Sequence, residues 1–447
     1  MWLLILLGLA IVFVVVTTTR FKLHPFLALL LAAFGYGIAS GRMSLKEVVD
    51  AVNGGFGSTI GAIGIVILAG SIIGTFLEKS GGAYSLAEST IRVVGQKNVP
   101  LAMGLIGYIV SIPVFCDSGF VVLAPLAKAM SRRAGLPLAA SAIALSLGLY
   151  ATHTMVPPTP GPIAAAGLLK ADLGLVILWG LPVSLVALAA GWLFSLVATR
   201  RIQADATAQD GDSTELAVDP RRPSALASAV PILLPLVLIV LKSLADLPDQ
   251  SWIRSDVAKV LSFVGTPVVA LLIGVFLAFL LPAKRTTEML STSGWVGEAV
   301  LAAATIIIIT GGGGAFGKVL QSSGIADFIT THMGKSESLS ILLPFAVAAA
   351  LKTAQGSSTV AIITTAGIMA PLLESLHLDS PTGRALAVVT IGAGSMVASH
   401  VNDSYFWVVT GFSKMSVKDG YRFQTLGTLV EGCAAAATLW LIGLWVL

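Results

Sequence analysis

The sequence predicts an all-α polytopic membrane protein: two inverted repeats, about eleven transmembrane helices and two re-entrant helical hairpins. Three observations carry this. Hydrophobic residues make up 56% of the 447-residue chain and charged residues 11%, whereas a soluble domain carries about 25% charged. Apolar runs of about 20 residues, the length that crosses a bilayer as a helix, recur along the chain. Two of these runs are broken centrally by polar clusters, Val114–Gly119 and Ala354–Thr359, and each is followed by a broken run holding a histidine, Thr152–Pro158 and Ser399–Asp403. Lipid penalises unpaired backbone and polar side chains, so such breaks persist only where protein or a water-filled cavity covers them. Matched breaks in two halves point to a transporter's binding site.

Taken in order, the first half reads as spans at 2–19, 25–40 and 58–78, a hairpin at 100–131, a span at 136–169 broken at 152–162, and a span at 173–198. The segment Trp2–Val16 lacks a basic region before it and a small-residue cleavage site, so it reads as a retained span rather than a signal peptide. Pro157, Pro158, Pro160 and Pro162 hold the broken span open. The polar stretch 199–224 is the linker, dividing an N-terminal repeat (1–198) from a C-terminal one (225–447). The second half repeats the order: spans at 225–245, 257–281 and 298–317, a hairpin at 338–375, a broken span at 384–412 and a last span at 424–446. Ser80-Gly81 recurs as Ser323-Gly324, 243 residues on, and His153 precedes His400 by 247.

With the N-terminus outside, five basic clusters fall in the cytoplasm: Arg20/Lys22, Lys128/Arg132/Arg133, the linker arginines, Lys284/Arg285 and Lys414/Lys418/Arg422. That satisfies the positive-inside rule. Five full crossings in the first half start the second half from the inside, which inverts the repeats. A net charge of +4 without a basic run excludes a nucleic-acid partner, and Cys116 and Cys433 supply neither a disulfide framework nor a metal site.

At each hairpin tip a new helix begins, presenting free N–H groups and partial positive charge to an anion. Asp117, Ser118 and Gly119 form the first tip; Gly356, Ser357, Ser358 and Thr359 form the second. Thr152, His153 and Thr159, and His400, Asn402 and Asp403, wall the site. Asp117 is the only acid between Glu88 and Asp172; it either handles a proton or substrate, or is salt-bridged, for example to Lys128. His153, His400 and Asp403 are the other proton-coupling candidates; each histidine either titrates or hydrogen-bonds the opened backbone. Lys352 is expected to snorkel to the surface rather than balance a bound anion. Gly312-x4-Gly317-Lys318 mimics a phosphate loop, but Val319 stands where a Mg²⁺-binding hydroxyl belongs, and close helix packing by Gly311–Gly314 is expected instead. No hydrolase motif, cofactor site or metal site is present in the sequence, which argues against an enzyme.

Together these residues resemble the gluconate permease family within the ion transporter superfamily. The resemblance rests on Phe21–Phe26, Asp117–Val121, Thr152-His153, Pro157–Pro162, Gly311–Phe316, Gly356–Ala361 and Ser399–Ser404. It implies a bacterial inner-membrane symporter that moves protons with gluconate or a related sugar acid or hydroxycarboxylate. Relatives also carry D-serine, and members of the superfamily form homodimers, for which 25–40 and 257–281 offer a contact surface. Many relatives have an acid and then Val before the tip glycine, where this chain has Asp117-Ser118-Gly119; many have His where it has Thr159. These departures leave shorter hydroxy acids such as glycerate open. The alternative reading is the same fold coupled to Na⁺.

Overall fold

A computed structural model describes residues 2–95, 98–134, 136–199, 221–245, 255–324, 340–401 and 403–447. The linker at 200–220, residues 338–339 of the expected second hairpin, and Asn402 lie outside the described residues. Nineteen α-helices are named here in chain order. The first half comprises α1 (Trp2–Thr19), α2 (Pro25–Ser40), α3 (Leu45–Lys79), α4 (Gly82–Val94), α5 (Val99–Val110), α6 (Cys116–Ala134), α7 (Leu138–Met155), α8 (Pro160–Leu169) and α9 (Leu173–Thr199). The second comprises α10 (Ala225–Ala245), α11 (Ser255–Val264), α12 (Pro267–Ala278), α13 (Trp295–Ser322), α14 (Leu342–Gln355), α15 (Ser358–Met369), α16 (Pro381–Ser395), α17 (Ser404–Phe412), α18 (Val417–Gly420) and α19 (Leu426–Val446).

Among the described residues five helical stretches are long and apolar enough to cross a membrane, and α3, bent by 44° near Gly64, makes a sixth. Shorter apolar helices, including α2, α5, α12, α14 and α15, fill the spaces between them. The protein is thus a multi-pass helical bundle. The apolar window of Leu138–Leu169 is entirely buried, whereas only 28% of that in Val417–Val446 is. Helix α7 is enclosed, and its hydroxyl side chains bond to protein groups: Ser146 to Gln424, Thr152 to the Tyr108 carbonyl and Thr154 to the Tyr150 carbonyl. The outer helices instead expose large apolar side chains such as Leu31, Phe276, Leu301 and Trp445 to the lipid.

The two halves make matching contacts. Helix α5 packs on α7 as α14 packs on α16, and α6 on α7 as α15 on α16. Helix α7 packs on α9 as α16 packs on α19. Across the halves, α6 lies against α17 and α15 against α8. Each hairpin therefore touches its own broken span with one surface and the other half's with another. The centre is held by α13 against α3, the most extensive helix pair. The glycine run permits this approach: a Cβ on Gly314 would come within 2.7 Å of the Gly55 carbonyl, and one on Gly317 within 2.7 Å of the Gly367 carbonyl. Because Gly312–Lys318 lies inside α13, its N–H groups serve the helix ladder rather than a phosphate.

Three elements differ from expectation. Helix α3 starts at Leu45 rather than 58, because Ser44 and Glu47 form a capping box that nucleates it: Ser44 N–H donates to Glu47 at 2.7 Å, and Glu47 N–H to Ser44 Oγ at 3.3 Å. The expected continuous helix at 257–281 is two helices: Pro267 has no N–H to continue the ladder, and Gly265 lies where a Cβ would meet Lys242 at 2.5 Å. Helix α4 is amphipathic and too short and polar to register as a span; Arg222, at the far end of the linker, holds it by an ion pair to Glu88 at 2.5 Å and lies over the Tyr84 ring.

Candidate functional site

The first break is a tight turn between α5 and α6. Ser111 Oγ donates to the Val114 carbonyl at 3.1 Å, and the Phe115 carbonyl receives the Gly119 N–H at 2.8 Å. Helix α6 begins at Cys116, so the early N–H groups of Asp117 and Ser118 have no carbonyl one turn back within the helix. At the second break, Gly356 takes φ 87°, a left-handed conformation that glycine adopts at no steric cost, and its N–H caps α14 on the Lys352 carbonyl. Ser357 then caps α15, accepting the Val360 N–H at 3.3 Å.

Helix α8 begins differently. Pro160 and Pro162 occupy its first turn and offer no N–H. Helix α17 is capped by Asp403, whose Oδ1 accepts the Tyr405 N–H at 3.0 Å. Both hairpin tips are helix starts, whose first N–H groups have no carbonyl one turn back within the helix.

The strongest electrostatic feature is an ion pair between Lys352 and Asp403, 2.8 Å apart, with side chains 0% and 6% exposed. Lys352 does not snorkel. It sits one turn before the end of α14, deep in the bundle, and its ammonium finds a carboxylate rather than water. Asp403 Oδ2 also accepts the Ser399 hydroxyl at 2.5 Å and, in a longer contact of 3.5 Å, the Tyr150 hydroxyl. A buried ion pair persists only when its remaining lone pairs are satisfied in this way.

Asp117 faces the same pair from α6 and senses the charges of both Asp403 and Lys352. Its carboxylate receives its own backbone N–H and, at Oδ2, the Cys116 thiol at 3.8 Å, and its Oδ1 has no hydrogen-bond partner among the described residues. Lys128 is not its counter-ion. Two rings connect the tips: Phe120 of α6 meets Tyr405 edge-on at 6.3 Å, and Tyr405 lies 5.1 Å from Tyr150. The Tyr150 hydroxyl also reaches Ser358.

The remaining expected residues divide by direction. Ser358 joins the Tyr150–Asp403 group, and Ser357 and Thr359 stand half-buried beside it on the α15 start. Ser118 turns away to Glu78 of α3. Gly119 is buried against Leu149 and contributes space rather than chemistry. Thr152 and Thr159 donate to the Tyr108 and Val156 carbonyls at 2.9 and 2.6 Å, binding opened backbone. His153 is buried, 6.0 Å from the Phe115 ring, with Nδ1 lacking a partner among the described residues. His400 donates from Nε2 to the Thr353 carbonyl at 2.8 Å, tying the broken span to α14.

Sequence reasoning passed over Tyr150 and Tyr405, for which only an aromatic within a polar-flanked span could have been a signal. It also missed Glu431, a lone acid in the apolar run Leu426–Val446 and fully buried. An ionisable residue inside a span is itself a functional signal.

A cavity of about 530 Å³ lies elsewhere, lined by Ser58, Thr59, Lys170, Lys318, Gln321, Glu374 and Arg384 among others. It opens at the C-terminal ends of α8 and α15, whose N-terminal ends line the tips. Ten to twelve helical residues separate the two regions, a distance of about 15 Å.

The GntP family permease profile matches residues 2–445. The chain belongs to the GntP permease family. It is 36% identical to a gluconate permease of Pseudomonas aeruginosa over 93% of this chain and 92% of that protein. It is 33% identical to the D-serine transporter DsdX of Escherichia coli over 99% of this chain and 98% of that one. The YdaH transporter of Alcanivorax borkumensis shares the fold, with a TM-score of 0.68 at 18% identity over 95% of this chain and 98% of that one. This GntP permease is accordingly a multi-pass membrane transporter, and its bacterial relatives are consistent with the inner membrane.

Proposed function

We propose that this GntP permease imports gluconate or a related sugar acid together with protons. In this reading, residues 1–198 and 225–447 are inverted repeats, and α5–α6 and α14–α15 are re-entrant hairpins whose tips meet at the substrate. The observation that carries the proposal is the buried Lys352–Asp403 pair set between two helix breaks, with Asp117 facing it and its Oδ1 unpartnered among the described residues.

The substrate carboxylate approaches the start of α15, where free N–H groups, Ser357, Thr359 and the nearby Lys352 ammonium favour an anion. Its hydroxyls pair with Tyr150 and Asp117. A carboxylate at Asp117 repels the incoming anion, and protonation removes the repulsion and supplies a donor, which links proton to substrate. The cationic cavity beside Lys170, Lys318 and Arg384 is an approach route on the outer side. Movement of hairpins and broken spans against α3 and α13 then exposes the site to each side in turn. A homodimer places residues 25–40 and 257–281 at the subunit contact.

A second reading has its own support. The free Oδ1 of Asp117 is a ready partner for an ammonium, which suits a zwitterion such as D-serine, the substrate named for one relative. Uptake of labelled gluconate into proteoliposomes under an inward proton gradient tests both. A sodium gradient serves as the control, and D-serine and glycerate as competitors. Proton-driven accumulation of gluconate supports the first reading. Accumulation driven by sodium alone, or only of D-serine, replaces it.

A further inference from the structure

Helix α19 carries a fully buried acid that the site description does not use. Glu431 is 0% exposed, and neither carboxylate oxygen has a hydrogen-bond partner among the described residues. The bundle is shaped around it: a Cβ on Gly191 of α9 would lie 2.9 Å from the Glu431 Cδ and collide with its oxygen, so the carboxyl rests directly on glycine backbone. An ionised carboxylate buried with neither cation nor donor costs several kcal/mol. Glu431 therefore carries its proton in this conformation.

The neighbours supply no counter-charge. Helix α9 has no acid or base in Leu173–Thr199. In α16 the only charged residue is Arg384, held near the helix start on the Asp379 and Leu169 carbonyls. Helix α7 contributes Tyr150 and His153, and α14 contributes Lys352, already committed to Asp403. The π-helical turn before α19 contributes Tyr421 and Arg422, the latter over the Phe423 ring. From α17, Tyr405 is the titratable group, its hydroxyl donated to the Ser146 carbonyl at 3.0 Å.

Other buried polar groups share the face of Glu431 and border the site. Gln424, Thr428 and Glu431 recur at helical spacing on one face, all 0% exposed. Thr428 Oγ1, about one turn from Glu431, accepts the Ser399 N–H at 3.0 Å. The Ser399 hydroxyl reaches Asp403 at 2.5 Å. Gln424 accepts the Ser146 hydroxyl at 2.8 Å, and the Ser146 carbonyl receives the Tyr405 hydroxyl at 3.0 Å.

We propose that Glu431 is a proton-carrying residue of the transport cycle. The step is a simple exchange: a proton leaves the Glu431 carboxyl, which becomes carboxylate, when the bundle opens and water reaches it, and a proton from water restores the acid before it is buried again. This rests on the proton-symport reading.

The test compares the parent with Glu431→Gln in proteoliposomes, using whichever of gluconate or D-serine the parent exchanges. Gln keeps the shape and cannot ionise. The expected result is that Glu431→Gln still exchanges labelled for unlabelled substrate, while accumulation under a proton gradient falls to simple equilibration. Proton-driven accumulation by Glu431→Gln at the parental level overturns the assignment and leaves symport intact. A parent that exchanges substrate but ignores the proton gradient overturns symport and the assignment together. If Glu431→Gln loses exchange as well, Glu431→Asp decides: restored proton-driven uptake supports the carrier role, and continued silence makes Glu431 a packing residue.

Discussion

The two hairpin tips hold opposite electrostatic positions. The second, around Gly356–Thr359, lies beside a completed ion pair: Lys352 is bonded to Asp403, and Asp403 is bonded in turn to Ser399 and the Tyr405 N–H. The first, around Asp117, presents a carboxylate whose Oδ1 has no partner among the described residues. A satisfied buried pair resists change, because removing either member leaves a bare charge in a low-dielectric interior. An unsatisfied acid beside it can gain or lose a proton or a ligand with little disturbance of the fold. In the proposed reading the tips divide the work: the second fixes the site's shape and positive charge, and the first responds.

The largest effect is expected at the fixed side. Lys352→Met or Asp403→Asn alone should abolish uptake and destabilise the protein by about 3–5 kcal/mol, the usual cost of breaking a buried pair. Thermal unfolding in detergent measures this. The double variant should recover most of the stability but none of the transport, because the charges then leave together. Equal destabilisation of single and double variants would mean that the pair is not coupled as described.

At the responsive side, Asp117→Asn should leave the unfolding temperature near the parental one while abolishing proton-driven accumulation, because Asn cannot exchange a proton. A large drop in stability would instead assign Asp117 to structure. A smaller effect is expected from Ser357→Ala, which removes a helix cap worth about 1 kcal/mol and should raise KM while sparing the fold. The smallest belongs to Thr152→Val: its hydroxyl serves only the Tyr108 carbonyl, so a loss of about 1 kcal/mol in stability with substrate affinity unchanged is expected.

Much of this was legible in the residues. Apolar length located most helices, and prolines and polar clusters located both breaks, because lipid makes each such interruption costly. The glycine run of α13 signalled close packing for the same reason. Direction and partnership were not legible. Lys352 and Asp403 are 51 residues apart and meet only because α14 and the second broken span fold together. The first tip shows the same limit in miniature: Asp117 and Ser118 are adjacent in sequence, yet the helix turns one to Asp403 and the other to Glu78.

The most direct test of the division between the tips is gluconate binding to the purified protein at two pH values, in the parent and in Asp117→Asn. The parent should bind more tightly at the lower pH, where a protonated Asp117 no longer repels the substrate's carboxylate, and Asp117→Asn should bind equally at both. A pH dependence that survives in Asp117→Asn would contradict the account and move the responsive group elsewhere in the site.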